Sequence, residues 1–280
     1  MRTLHTDEIT NTIREMCIEA NLVLSDDVKE KILNARQIEE SPLGTQILGQ
    51  LEKNLEIAQI EKIPICQDTG MAVVFLEIGQ DLHIEGISLE DAVNEGIRRG
   101  YKEGYLRSSV VSDPLIRVNT TDNTPGILHF TIVPGEQLKI TVAPKGFGSE
   151  NMSRIAMLKP SDGEEGIKQM VLDTVRIAGP NACPPIVVGV GIGGTFEKCA
   201  LLAKKALTRS LKESSPIPHI QKLEKELLEE INRMGIGPGG LGGRITALGV
   251  NIEIYPTHIA GLPVAVNLCC HVNRHIVRIL

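Results

Sequence analysis

The sequence predicts an α+β protein, with helices at the front of the chain and mixed strands and helices behind them. Three observations carry that expectation. Residues 6–58 hold three apolar stripes at helical spacing and no strand-like run. Short apolar runs bounded by turn residues begin only after position 70. These runs then mix with helices and a hairpin-like pair, not in the steady strand–helix rhythm of a doubly wound sheet. No repeat and no linker marks a boundary, so one domain over 1–280 is expected. It divides into a helical layer over 1–60 and a mixed α/β region over 61–280.

The elements follow in order. Ile9, Ile13, Met16, Cys17 and Ala20 form the first stripe, with Thr6 as N-cap. Ser25 opens a second helix through Val28, Ile32 and Ala35. Ser41-Pro42 starts a third, with Leu43, Ile47, Leu51, Leu55 and Ala58 on one face. A buried strand is expected over 72–78, then a helix from Ser88 to about Tyr105 with Ser88 and Asp91 as a capping pair. A short strand at 115–118 precedes the turn-rich run 119–126, and a hairpin is expected from 127–133 and 138–142. Helices over 162–178, after 195 to about 211, and over 220–234 alternate with strands at 186–190, 246–254 and 263–268. The run Gly235–Gly243 is expected to be a flexible connector.

Composition narrows the function classes. An apolar fraction of 42% in 280 residues is enough for a large core. Aromatics at 2%, with no tryptophan, disfavour base-stacking platforms, and no basic block occurs in a chain of net charge -6. Nucleic acid and anionic membrane are therefore not expected partners. No signal-like N-terminus and no apolar run of about 18 residues occurs, so a cytoplasmic location is expected. In that compartment the six cysteines are core residues, metal ligands or reactive thiols rather than disulfides.

Three cysteines stand out. Cys66 opens Cys-Gln-Asp-Thr-Gly before a strand, Cys183 precedes two prolines, and Cys269 or Cys270 ends the last long strand. Thiols at element ends can face a cavity, whereas Cys17 and Cys199 fall on helical apolar stripes. Three isolated cysteines cannot close a tetrahedral zinc site, but they suit a four-iron cluster with one iron left open. The run Gly189–Thr195 lacks the Lys-Ser/Thr of a phosphate loop. It is expected to be a tight turn or a backbone close to a ligand.

Six separated motifs then occur together: C-Q-D-T-G at Cys66, L-R-x-S-V-V-x-D-P at Leu106, N-T-x-D-N-T-P at Asn119, K-G-x-G-S-E-N at Lys145, N-A-C-P-P at Asn181 and P-T-H-I-A-G-L-P-V-A-V-N at Pro256. Together they resemble the class I iron–sulfur fumarate hydratase and L-tartrate dehydratase family, in its α subunit or N-terminal domain. The resemblance covers almost the whole chain.

It implies a cluster-binding cavity and a [4Fe-4S] cluster held by Cys66, Cys183 and Cys270, with one iron not ligated by cysteine. It implies substrate contacts from Gln67, Asp68, Arg107 and Gly148, and proton transfer by Asp68 with His258. A second unit, carrying further carboxylate contacts and the carbon base, has no counterpart in these 280 residues. The resemblance therefore implies an α subunit that hydrates fumarate to (S)-malate within a hetero-oligomer containing a separate β subunit. An L(+)-tartrate dehydratase α subunit is the alternative substrate reading, and a non-catalytic cluster-binding regulatory subunit the alternative class.

Overall fold

The structure, a computed structural model, describes residues 2–280. In chain order it runs β1 (Arg2–His5), α1 (Thr6–Leu22), α2 (Asp26–Ile38), α3 (Pro42–Glu61), β2 (Met71–Gly79), β3 (Leu82–Glu85) and α4 (Leu89–Glu103). Then follow β4 (Ile127–Val133), β5 (Leu138–Lys145), α5 (Phe147–Glu150), β6 (Arg154–Leu158), α6 (Gly163–Ala178) and β7 (Ile186–Gly193). The chain closes with α7 (Phe196–Ala206), α8 (Pro218–Arg233), β8 (Ala247–Tyr255), β9 (Leu262–Cys269) and β10 (Ile276–Ile279). This is an α+β fold with mixed sheets. Three helices do occupy Thr6–Leu22, Asp26–Ile38 and Pro42–Glu61, as their stripes predict, behind the short strand β1. The chain forms two compact units, one from residues up to Ser25, Leu55–Phe147 and Arg274–Leu280, the other from Asp26–Asn54 and Gly148–Asn273.

The first unit is built on a four-stranded sheet in the order β10-β5-β2-β4. Ala72, Val74 and Leu76 of β2 share a core with Leu138, Ile140 and Val142 of β5, Ile9, Ile13 and Met16 of α1, and Val93, Ile97 and Tyr101 of α4. Each full aliphatic burial of this kind contributes about 1.5–3 kcal/mol. The two helices approach closely because α4 offers glycine where they touch. A Cβ on Gly100 would lie 2.8 Å from both the Arg14 carbonyl oxygen and the Cys17 Cβ.

Ser88 caps α4 as expected, accepting a hydrogen bond from the Asp91 N–H at 3.1 Å. At α1 the cap is His5 instead of Thr6, its Nδ1 accepting from the Asp7 N–H. Thr6 is buried, and its Oγ1 accepts from the Ile87 N–H, so tertiary contact claims the hydroxyl. The expected hairpin does not form. β4 runs parallel to β2 and β5 antiparallel to it, so the two strands lie on opposite sides of β2. Residues 115–118 form no strand: the chain turns at 114–116 and is irregular at 117–118. Asp113 Oδ1 accepts from the Leu115 and Ile116 N–H groups, which curls the chain away from any ladder.

The second unit is built on the sheet β6-β9-β7-β8. Every residue of β7 is buried. Val188, Val190 and Ile192 pack with Val171 and Val175 of α6 and Leu227 and Ile231 of α8. On the alternate face, Gly189 and Gly191 let α7 lie against the strand. A Cβ on Gly191 would come 2.0 Å from the Cys199 carbonyl oxygen. The glycine-rich run at 189–195 thus serves helix packing and a strand-to-helix turn. The expected flexible connector is tied down: Gly239 N–H donates to the Pro184 carbonyl, and Glu39 accepts from the Arg244 and Ile245 N–H groups. Burial alone would raise the Glu39 carboxyl, but its backbone donors outweigh that and lower it.

Candidate active site

In the first unit the loop Cys66–Gly70 lies between α3 and β2 and is fastened from several sides. Gly70 sits at φ +77, and a Cβ there would meet the Lys145 backbone at 2.7 Å, so no other residue fits the turn. Asp68 bends into it. Its Oδ1 accepts from the Gly70 N–H at 3.0 Å and its Oδ2 from the Phe147 N–H at 2.9 Å. The Asp68 N–H itself points at the Cys66 sulfur, 3.4 Å away. Gln67 is exposed, with its Oε1 3.4 Å from the same sulfur.

A second loop is pinned to the first. Thr69 Oγ1 accepts from the Arg107 N–H at 2.9 Å. Asn123 is wholly buried and bridges both loops, accepting from the Ser109 N–H at 2.7 Å and donating to the Gly70 carbonyl at 3.1 Å. The Tyr101 hydroxyl sits within hydrogen-bond reach of the Thr69 and Gly70 carbonyls. Burial pushes its phenol far up, so it stays a neutral donor. The Arg107 side chain is exposed and has no carboxylate partner among the described residues. The first unit thus gathers Cys66, Gln67, Asp68 and Arg107.

The second unit gathers Gly148, Cys183 and Cys270. Strand pairing does this: Cys183 lies three residues before β7, and Cys270 directly follows β9, whose Cys269 is paired with Val187. The two cysteines therefore leave the sheet at the same end. His271 Nδ1 lies 3.3 Å from the Cys183 carbonyl oxygen and joins the segments. Gly148 is next to them, since a Cβ on it would be 4.0 Å from the Asn181 carbonyl oxygen. Glu150 anchors that loop to Asn267 at 2.8 Å and to Lys204. Cys183 is left-handed, at φ +54, a strained conformation for a residue with a side chain and a frequent mark of function.

His258 is placed differently. It lies in the exposed turn between β8 and β9, where its Nδ1 accepts from the Ala260 N–H. An eight-residue strand spans roughly 23 Å from first to last residue. Within this unit His258 and Cys270 therefore stand at opposite ends of β9.

Burial sorts the cysteines. Cys17, Cys199 and Cys269 are buried, whereas Cys66 and Cys270 are half-buried and Cys183 is exposed. Desolvation pushes the Cys17 thiol up to about 12 and also raises Cys199, both unsuited to act as thiolates. Cys269 shares the face of its cross-strand partner Val187, turned into the core, while the next residue emerges from the strand end. The donor chemistry fits a cluster: the first unit offers one accessible thiol and the second offers two. Within neither unit do three or more His, Cys, Asp or Glu side chains of the described residues gather as a metal-holding group.

Sequence reasoning missed the residues that hold this apparatus. Asn123 stands in a motif that was legible, but its burial and double hydrogen bond were not. Tyr101 lay inside the expected helix from Ser88 to about Tyr105 and carried no signal of its own. Arg274 carried no signal beyond its place soon after Cys270.

The family model for fumarate hydratase (Fumerase) matches residues 10–278. The chain belongs to that family of hydro-lyases, in agreement with the six motifs. It is 43% identical over 277 residues to a Methanocaldococcus jannaschii protein provisionally named L(+)-tartrate dehydratase subunit alpha, covering 97% of each chain. It is 31% identical over 272 residues to the L(+)-tartrate dehydratase subunit alpha of Escherichia coli and to that of Shigella sonnei, covering 96% of this chain and 89% of each relative. No helix among the described residues is long and apolar enough to cross a membrane.

Proposed function

We propose that this chain is the α subunit of a hydro-lyase that interconverts fumarate and (S)-malate. The observation that carries this is the first unit's loop pair: a carboxylate fixed by two backbone N–H groups, and an arginine without a carboxylate partner whose backbone N–H is held by the adjacent Thr69. Arg107 would clamp a substrate carboxylate through its planar fork, with Gln67 and the Gly148 backbone as further contacts. Asp68 would move the proton at the departing hydroxyl. His258, a strand's length from Cys270 in its own unit, would join it only from a second copy of the chain. Cys66, Cys183 and Cys270 would hold a [4Fe-4S] cluster. When bound, such a cluster supplies an open iron as a Lewis acid for the hydroxyl.

The carbon base and remaining carboxylate contacts fall to a separate β subunit in a hetero-oligomer, a division that the "subunit alpha" names of the relatives support. Those same names favour a second reading, dehydration of L(+)-tartrate, which needs the same clamp and the same proton carrier.

The test is anaerobic turnover of fumarate and of L(+)-tartrate by the chain alone and with a β-type partner, alongside iron and sulfide content. Turnover only in the pair is expected. Cys66→Ser, Cys183→Ser and Cys270→Ser should each lose the cluster, and Cys17→Ser, Cys199→Ser and Cys269→Ser should keep it. Full activity of the chain without a partner, or a cluster retained in Cys270→Ser and lost in Cys269→Ser, would overturn the corresponding assignment.

A further inference from the structure

Arg274 is 4% exposed, yet the structure gives it no carboxylate partner among the described residues. Its Nε donates to the Pro144 carbonyl at 3.2 Å, and its Nη2 donates to the carbonyl of Asp68. Its Nη1 is buried and makes no hydrogen bond. A buried cation without an anion carries a desolvation penalty, and a neutral amide could satisfy two carbonyls without it. A guanidinium here therefore does more than fill donor positions.

The two carbonyls explain what it does. One belongs to Asp68 and the other to Pro144, three residues before Phe147, whose N–H holds the Asp68 carboxylate. The fork thus spans the two backbone segments that set where the carboxylate points. Arg274 and Asp68 both lie within electrostatic reach of the buried Tyr101 hydroxyl, which itself faces the Thr69 and Gly70 carbonyls. All these groups belong to the first unit.

We propose that Arg274 is a positioning residue for the hydro-lyase reaction, clamping the Asp68 loop to the Pro144–Phe147 turn so that the Asp68 carboxylate is held for proton transfer. This rests on the function proposed above, in which Asp68 moves the proton. Arg274 touches neither substrate nor cluster in this assignment. It acts through the backbone, by charge-assisted bonds whose fixed fork a lysine cannot reproduce.

The experiment compares Arg274→Lys and Arg274→Ala with the unaltered chain, each assembled with its β-type partner for kinetics and alone for amide hydrogen exchange. A misplaced proton carrier should lower kcat by about 10- to 100-fold. KM for the dicarboxylate should stay within about twofold, because the carboxylate clamps are untouched. Added guanidinium should restore part of the kcat of Arg274→Ala. Exchange should quicken in residues 66–70 and 144–147 and not in α1 or α4, a readout independent of turnover. Should the unaltered assembly turn over neither fumarate nor tartrate, the functional reading fails while local exchange still reports on the clamp. Unaltered kcat with unaltered exchange in both variants would overturn the proposal. So would uniform loss of protection across the unit in both variants, which would make Arg274 a general support of the fold.

Discussion

The two units hold their chemistry by opposite means. In the first, Asp68 and Arg107 lie on loops, and directional bonds from buried polar side chains fix them: Asn123, Tyr101, Thr69 and Arg274. In the second, Cys183 and Cys270 lie at the ends of paired strands, and steric packing fixes them: a wholly buried β7 with α7 seated on its glycines. A loop held by hydrogen bonds is sensitive to the loss of one donor, because the partner left behind is buried and unsatisfied. A strand end held by packing is insensitive to such losses but yields to any added volume. The same family motifs thus contain two kinds of residue, those that would touch substrate or cluster and those that keep them in place.

The largest effect should come from attacking the packed unit with volume. Gly191→Val places a side chain against the Cys199 carbonyl, which is helix backbone and cannot swing aside. Destabilisation of about 3 kcal/mol or more is expected in urea unfolding. Gly148→Ala is its counterpart, since the added carbon meets nothing nearer than 4.0 Å. Stability there should change by no more than about 0.5 kcal/mol, leaving any loss to appear in turnover. Equal damage from both would erase the distinction between a packing glycine and a site glycine.

Next comes the polar unit. Asn123→Ala removes the acceptor of the Ser109 N–H and one of the two donors to the Gly70 carbonyl, leaving Tyr101 as the other. A loss of about 1–3 kcal/mol is expected in denaturant titration. Because the Arg107 and Asp68 loops are uncoupled, activity should fall as well. Wild-type activity at reduced stability would show that Thr69 alone keeps the two loops in register.

The smallest effect concerns the edge of the same unit. Burial alone would raise the Asp122 carboxyl, but hydrogen bonds from Arg98 and Thr124 outweigh it and bring it down to about 2. An unfolded aspartate titrates near ~3.9, so the stabilisation is complete above about pH 4 and fades as pH falls toward the folded value. Asp122→Asn should lower the melting temperature slightly near neutrality, and the gap from wild type should close on acidification. A gap independent of pH would mean that the ion pair with Arg98 is not its source.

Much of this was legible in the sequence because it is local. Three helices at the front, the Ser88–Asp91 cap and the thiols at element ends follow from side-chain periodicity, capping chemistry and neighbouring turn residues, none of which needs a partner far along the chain. The family motifs named the order Cys66, Asp68, Arg107, Gly148, Cys183, His258 and Cys270 before any strand was placed. Pairing was not legible. β4 and β5 look like a hairpin until β2 comes between them, and the short strands β1, β3, β6 and β10 become strands only beside their partners. Cys269 and Cys270 are equivalent as letters. Only the register of β9 on β7 turns one inward and leaves the other at the strand end. The same holds for Arg274 and Asn123, whose roles depend on burial and on donors meeting carbonyls far off in sequence. Local spacing fixes what a residue can do, but desolvation and distant hydrogen-bond partners exist only in the folded chain.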